Sequence, residues 1–411
     1  KHPDGTFKRF GFMLGRAAYA CAQSPLKVVC VDSGHLKSAW EGVMLIVTFK
    51  DANDTLVHLA TVICDKDNSD NYSWLYGLMK KNSYMTRVLD SNKTTIYTNQ
   101  HKSHTSVLNR HARHAIWKWC LRHLVGNSQQ QVGQTVNGFV FHAARAPTAH
   151  QFHDIMEKQV KPTKPVAYAG LMALDLKRWA FHAGPQDTVI GDQTTSNAVE
   201  QNMSMVGAEA RKLPPYGLAM EILDKTALKM ADRALLRVGT PEKLTPFAAK
   251  MFEAQRNKSS DLRASATGNG NYTVRQQGSQ YGNRVRLVFN AGGVATFMSC
   301  TCSYPARWLI PCCDVIAVGR SLDKADEVMQ LIDKAYQLDT YRDMYNDERF
   351  EVQLPVPEEL TRDTTMHPPH PVEGKAGRPA KGKKKTARIP SRKGPPKGPK
   401  DASSSFNVRL A

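Results

Sequence analysis

Apolar residues fall in short unbroken runs near the start of the chain. Val28-Val29-Cys30-Val31 shows no polar alternation, the pattern of a strand buried on both faces. It leads straight into Asp32-Ser33-Gly34-His35-Leu36-Lys37, which delivers a carboxylate to the end of that strand. Two more apolar runs follow, over residues 43–49 and 56–64, and predict two further strands in meander order. Tyr72, Leu75, Tyr76, Leu78 and Met79 recur at helical spacing and predict an amphipathic helix over 69–81, its aromatic side chains packed into the core. Residues 95–98 predict another short strand, running into Asn99-Gln100-His101-Lys102. An acid can end a strand with no chemistry attached, so Asp32 by itself decides nothing.

The pattern then changes. Residues 121–192 read as mostly helical, with His-rich stretches. Thr195, Ser196 and Asn197 are N-cap types, and they put Glu200 just inside a helix start. Helical stripes continue to about residue 237 through Leu218, Met220, Ile222, Leu223, Leu228 and Met230, with Pro214-Pro215 breaking or starting a helix. Residues 259–283 are rich in Gly, Ser and Gln and read as a loop or linker. Val285 to Phe289 alternates and predicts a strand. No internal repeat is evident.

At 411 residues the chain has room for two or three domains and a sizeable core. It contains no apolar stretch long enough to span a membrane. Its eight Cys are dispersed, which favours reduced thiols in an intracellular compartment over a disulfide framework. The net charge is +19, and residues 362–411 carry 13 Lys and Arg against 3 Asp and Glu, a net +10. A localised excess of that size points to a polyanion, most simply DNA.

In order along the chain stand VVCVDSGHLK, LIVTFKDANDTLVHLATVICDKDNSDNYSWLYGL, YTNQHKS, WCLRHLVGN, and TSNAVEQN with ARKLPP behind it. The ordered set, over about residues 7–215, resembles a Mutator-like element (MULE) transposase. The resemblance implies an α/β, RNase H-like core over residues 1–120 and 193–237, interrupted by a helical insertion over 121–192. It implies that Asp32, position 99 and Glu200 converge to hold divalent metal, Mg²⁺ or Mn²⁺. It also implies a segment upstream of Lys1, often a DNA-binding module. The chain departs from the family at Asn99, where the family carries Asp. Two-metal phosphoryl transfer needs carboxylates, and an amide supplies no negative charge. Asp90 lies on the wrong side of the strand to substitute, and Asp65, Asp67 and Asp70 belong to an earlier loop and helix start. The expectation is a decayed or repurposed transposase; the alternative is an active enzyme. Cys120 and His123 form a C-x2-H pair that the family also carries. They could supply half a zinc site, or pack as a buried thiol and a core His, and the second reading is preferred. His101, His104, His111 and His114 read as a solvated face.

Cys300-x-Cys302 and Pro311-Cys312-Cys313-Asp314 resemble a SWIM zinc finger, C-x-C followed by C-x-H, over residues 284–322. Asp314 stands where His is expected. Zn²⁺ takes four tetrahedral N, S or O ligands, so Cys300, Cys302 and Cys312 would be completed by Asp314, or by Cys313 in a shifted geometry. The other possibility is a relic finger of buried thiols. Residues 238–283 read as a helical and linker region and 323–361 as a helical segment. The tail, 362–411, is expected to be disordered. Gly377-Arg378-Pro379, with Lys381, Lys383, Lys384, Lys385 and Arg388 nearby, resembles an AT-hook for A·T-rich minor grooves; the other reading, compatible with it, is a nuclear-localisation run or a generic polybasic disordered tail. DNA is the expected partner, with self-association possible and the nucleus the expected compartment.

Overall fold

The computed structural model describes residues 1–38, 42–100, 103–132, 137–185, 188–195, 206–236, 243–346 and 367. The chain divides into two units, Lys1–Pro371 and Val372–Ala411, and every described residue lies in the first.

A six-stranded sheet is built from β1 (Arg9–Met13), β2 (Val28–His35), β3 (Val43–Lys50), β4 (Leu56–Cys64), β5 (Thr95–Thr98) and β6 (Ile116–Trp119), in the order β1-β4-β3-β2-β5-β6. The meander β2-β3-β4 is antiparallel, whereas β5 runs parallel to β2 and β6 parallel to β5. The carboxyl ends of β2, β4, β5 and β6 therefore line one edge. Both faces are covered, which is why the strands lack polar alternation. Val29, Val31, Leu45 and Val47 face the helices Gly15–Gln23 and Ser69–Lys80, together with Tyr72 and Tyr76. Cys30, Met44, Ile46 and Tyr97 face Leu218 and Ile222 of the helix Pro215–Ala234. The predicted strands and the helix over 69–81 are present, the helix capped by the Asn68 side chain, which accepts from the Asn71 N–H.

The first 120 residues hold more helix than the pattern foretold. Gly15–Gln23, Ser83–Leu89 and Ser103–His111 are also helical. The first buries mainly Ala17, Ala18 and Ala20, too small to mark a stripe in the sequence. The solvated face expected of the His residues is corrected too. His104 is fully buried and packs against Tyr72, the two rings tilted with centroids 4.3 Å apart. His111 Nε2 lies 2.8 Å from the Ser73 hydroxyl, and burial, then Lys80 and Arg110, pushes its pKa down. His114 is exposed, and His101 lies outside the described residues.

Residues 121–185 are mostly helical where described and pack around their own core, including Val140, Phe152, Met156 and Trp179. Asp51, in the turn after β3, anchors the C-terminal helices to the first sheet. Its fully buried carboxylate accepts from the Arg233 guanidinium and from the hydroxyls of Tyr341 and Tyr345, each at 3.0 Å. A buried charge is tolerated only when paired and hydrogen-bonded in this way.

A second sheet, order β10-β9-β8-β7, consists of β7 (Leu262–Gly268), β8 (Asn271–Gln276), β9 (Gly282–Phe289) and β10 (Ala295–Cys300). The expected strand at Val285 is therefore part of β9, but the expected linker over 259–283 is a β-hairpin. Gly268, Asn269 and Gly270 turn it with positive φ, which Gly and Asn tolerate best. Its composition misled because one face of β7 and β8 is open to solvent and carries polar residues. The helix Cys313–Ser321 packs on the other face, against Val274, Val285 and Leu287.

Candidate functional site

Asp32 stands near the carboxyl end of β2 and is 5% exposed. The register pairs Cys30 with Tyr97 and Thr98 with Trp119, so Asp32, Asn99 and Cys120 fall in line across three parallel strands. One Asp32 oxygen, Oδ1, accepts from the Ser33 N–H at 2.9 Å and lies 3.5 Å from the Asn99 amide nitrogen. The other, Oδ2, lies 3.7 Å from Nδ1 of His123. Among the described residues, Asp32 and Asn99 thus lie side by side at the carboxyl edge of the sheet. Glu200 lies outside the described residues; Thr195, on its N-terminal side, places its carbonyl 3.9 Å from the Cys30 sulfur, two residues from Asp32.

Cys120 and His123 part company. Cys120 is fully buried beside Cys30, whose thiol is pushed up by burial and then by Cys120. His123, in the first turn of the helix Leu121–Val132, turns back to the Asp32 carboxylate. It is not the packed core His that the sequence favours. The signal was available: a C-x2-H that begins where a parallel strand ends puts the His one helical turn in, over the neighbouring strand's end. Asp67 belongs to the loop after β4, as expected, yet its carboxylate accepts a hydrogen bond from the Ser33 hydroxyl. Strand alternation puts Ser33 on the opposite face from Asp32, beside Tyr72.

The described donor set around Asp32 is one carboxylate, one amide and one imidazole. A pair of Mg²⁺ ions calls for several anionic oxygens. These residues alone do not fit it.

The second site sits on the other sheet. Cys300 ends β10, Cys302 follows in the turn, and a short helix, Tyr304–Trp308, carries the chain round to Cys312. Cys312 caps the helix Cys313–Ser321, whose first turn holds Asp314. One ligand atom from each of Cys300, Cys302, Cys312 and Asp314 lies within 4.8 Å of all the others. Zn–S bonds of about 2.3 Å in a tetrahedron would set the sulfurs ~3.8 Å apart, so the group fits Zn²⁺ with little movement. Cys313 stays out of it: its N–H donates to Gln255 Oε1 at 3.1 Å, and burial pushes its thiol up to about 11.

The electrostatics point the same way. Hydrogen bonds from the Cys300 and Cys312 thiols pull Cys302 down to about 3. The bond to Cys302 pushes Cys300 up, and burial pushes Cys312 up. Burial, then the Cys302 charge, raises Asp314. Four acidic groups crowded this closely share few charges, and a divalent cation would let all of them ionise. Sequence reasoning missed Asn283 of β9. Its amide donates to Asp314 Oδ2 at 3.1 Å, while its own carbonyl accepts from the Thr301 hydroxyl at 3.1 Å. Such partners orient a ligand for its metal.

Residues 28–127 match the family model described as the MULE transposase domain. That span covers β2 to β6, with Asp32, Asn99, Cys120 and His123. No curated protein matches the chain.

Proposed function

Because this chain carries a MULE transposase domain over residues 28–127, we propose that it is a DNA-binding, transposase-derived protein in which strand cleavage and transfer are impaired. The observation that carries this reading is the amide of Asn99, 3.5 Å from Asp32 at the carboxyl edge of the sheet. A metal-holding site needs a second carboxylate there. Its loss costs several kcal/mol of transition-state stabilisation, a rate drop of about a thousandfold or more. An antiparallel meander followed by two strands parallel to its first member supports the RNase H-like reading of the core. Glu200 is the proposed third member, on the resemblance of TSNAVEQN alone.

The competing reading is an active metal-dependent transposase that recruits another acid. Asp67 is the acid it would recruit: its carboxylate engages Ser33, the residue after Asp32, although on the other face of the strand. A strand-cleavage assay with Mg²⁺ or Mn²⁺ separates the two. The impaired reading expects no metal-dependent cleavage above that of an Asp32→Asn control. Cleavage by the unaltered chain that the control abolishes would overturn it and favour the enzyme.

The Cys cluster is proposed as a SWIM-like zinc site closed by Asp314, and nothing in its chemistry requires catalysis. The residues of the AT-hook-like tail, Arg378, Lys381, Lys383, Lys384, Lys385 and Arg388, lie outside the described residues. We assign them to DNA contact and the protein to the nucleus because the charge excess is concentrated there. No described helix is long and apolar enough to cross a membrane.

A further inference from the structure

The four-stranded sheet presents one face to the helix Cys313–Ser321 and leaves the other open. Val274, Val285 and Leu287 point to the helix and are buried. Strand alternation sends their neighbours the other way. Those neighbours include Arg275 on β8 and Arg284 and Arg286 on β9, with Arg263 joining them from β7, and all four are exposed. No Asp or Glu occurs anywhere between Asp261 and Asp314. None of the four arginines enters an ion pair with another described residue.

The strand register makes this arrangement unfavourable on its own terms. Arg263 lies directly opposite Arg275, and like charges in facing positions destabilise a sheet. Arg284 and Arg286 stand two residues apart on one strand, about 7 Å at the usual strand rise. Between the arginines lie Ser265, Thr273 and Ser299, small hydroxyl side chains that leave the surface low. A solvated face accounts for isolated arginines interspersed with acids. An acid-free group with two of its members directly opposed is balanced only when a polyanion lies on it.

We infer that this face docks the phosphate backbone of duplex DNA, independently of sequence. The inference rests on the DNA-binding reading above and adds a surface separate from both the Asp32 edge and the basic tail. Duplex is favoured over single strands because a single-strand platform stacks bases on several aromatic rings. Two aromatic rings are exposed here, too few for such a platform: Phe297, with the Arg286 guanidinium 5.8 Å from its centroid, and Tyr281 in the turn before β9. Arginine guanidinium and Ser or Thr hydroxyl groups are the donors that grip phosphate oxygens.

The test uses the full chain, a fluorescein-labelled duplex and a salt series read by anisotropy. Replacing all four arginines by Gln should weaken binding and lower the salt slope by about 0.9 per lost contact, ~3–4 in all. The four corresponding Lys replacements should recover most of the slope. A control exchange of Lys158 and Lys161 for Gln, on an exposed helix of the insertion, should change neither. The double variant Arg263→Gln, Arg275→Gln should also melt higher, since it removes the opposed pair, whereas a structural role for these residues would make it melt lower. Unchanged affinity and slope in the four-fold variant would overturn the inference while leaving DNA binding by the rest of the chain intact. Loss confined to an RNA of equal length would overturn it in favour of an RNA surface. Failure of the unaltered chain to bind duplex would overturn both this inference and the reading beneath it.

Discussion

At the edge of the first sheet an amide, Asn99, faces Asp32 at 3.5 Å; beside the second sheet a carboxylate, Asp314 of the helix Cys313–Ser321, faces the Cys300 sulfur at 3.4 Å. Each stands where the resembled family carries another residue, Asp in the first case and His in the second. The chemical consequences are opposite. Zn²⁺ accepts nitrogen, sulfur or oxygen, so Asp for His changes the donor and adds a charge while keeping the tetrahedron. Metal-assisted phosphoryl transfer depends on the summed negative charge of its carboxylates, so Asn for Asp keeps the shape and removes what the shape is for. Each site also has a polar neighbour: His123 lies 3.7 Å from Asp32, and Asn283 donates a hydrogen bond to Asp314. The contrast shows that a substitution is better judged by what it does to the charge at a site than by how closely it mimics the replaced side chain.

The comparison breaks most readily at the zinc site. Purified chain should contain one Zn²⁺, and Cys312→Ser should lose it. The stability lost with the metal should be on the order of 5 kcal/mol or more, because site formation and folding are coupled. A chelator titration followed by metal analysis and thermal melting checks this; full stability without zinc would mean a relic finger of buried thiols.

Next in size is Asn99→Asp. If charge at this position is what the first site lacks, the variant should gain metal-dependent strand cleavage by about a thousandfold. Cleavage should vanish again when Asp32→Asn is added. An Asn99→Asp chain as silent as the parent would mean that the damage extends beyond this position.

Asn283→Ala sharpens the second half of the comparison. It should weaken zinc affinity by about 10–100-fold without removing a ligand. Competition with a chromogenic chelator reads this directly, and an unchanged affinity would show that Asp314 needs no support.

The smallest expected effect belongs to the tail. Arg378→Ala should weaken binding to A·T-rich duplexes more than to G·C-rich ones, because an inserted arginine senses groove width. Truncation at residue 362 should flatten the salt dependence of both. Equal losses from Arg378→Ala on the two duplexes would reduce the tail to a general polycation.

Much of the architecture follows from local pattern. Val28-Val29-Cys30-Val31 could only be a strand covered on both sides, and the spacing of Tyr72, Leu75, Tyr76 and Met79 could only bury one helical face. The C-x-C and C-C-D segments displayed openly a donor set that could hold a metal, three thiols and an acid in two short stretches. The polar hairpin at 262–276 was hidden because composition records side chains, whereas strand pairing is made by backbone groups that every residue has. The burial of His104 against Tyr72 was hidden for a related reason: a His looks solvated until a second element covers it.

The sites divide along the same line. The sequence by itself determined which groups are available: a carboxylate at a strand end, an amide where an acid was expected, four potential zinc ligands in two short segments. Only the tertiary structure decided which of them meet. Parallel pairing of β2, β5 and β6 brought Asp32, Asn99 and His123 together from positions far apart in the chain. The register of β7, β8 and β9 turned scattered arginines into one acid-free face. The reason is that a residue's chemistry is carried in its own atoms, while its partners are set by which strands pair and in what register, which depends on residues elsewhere in the chain.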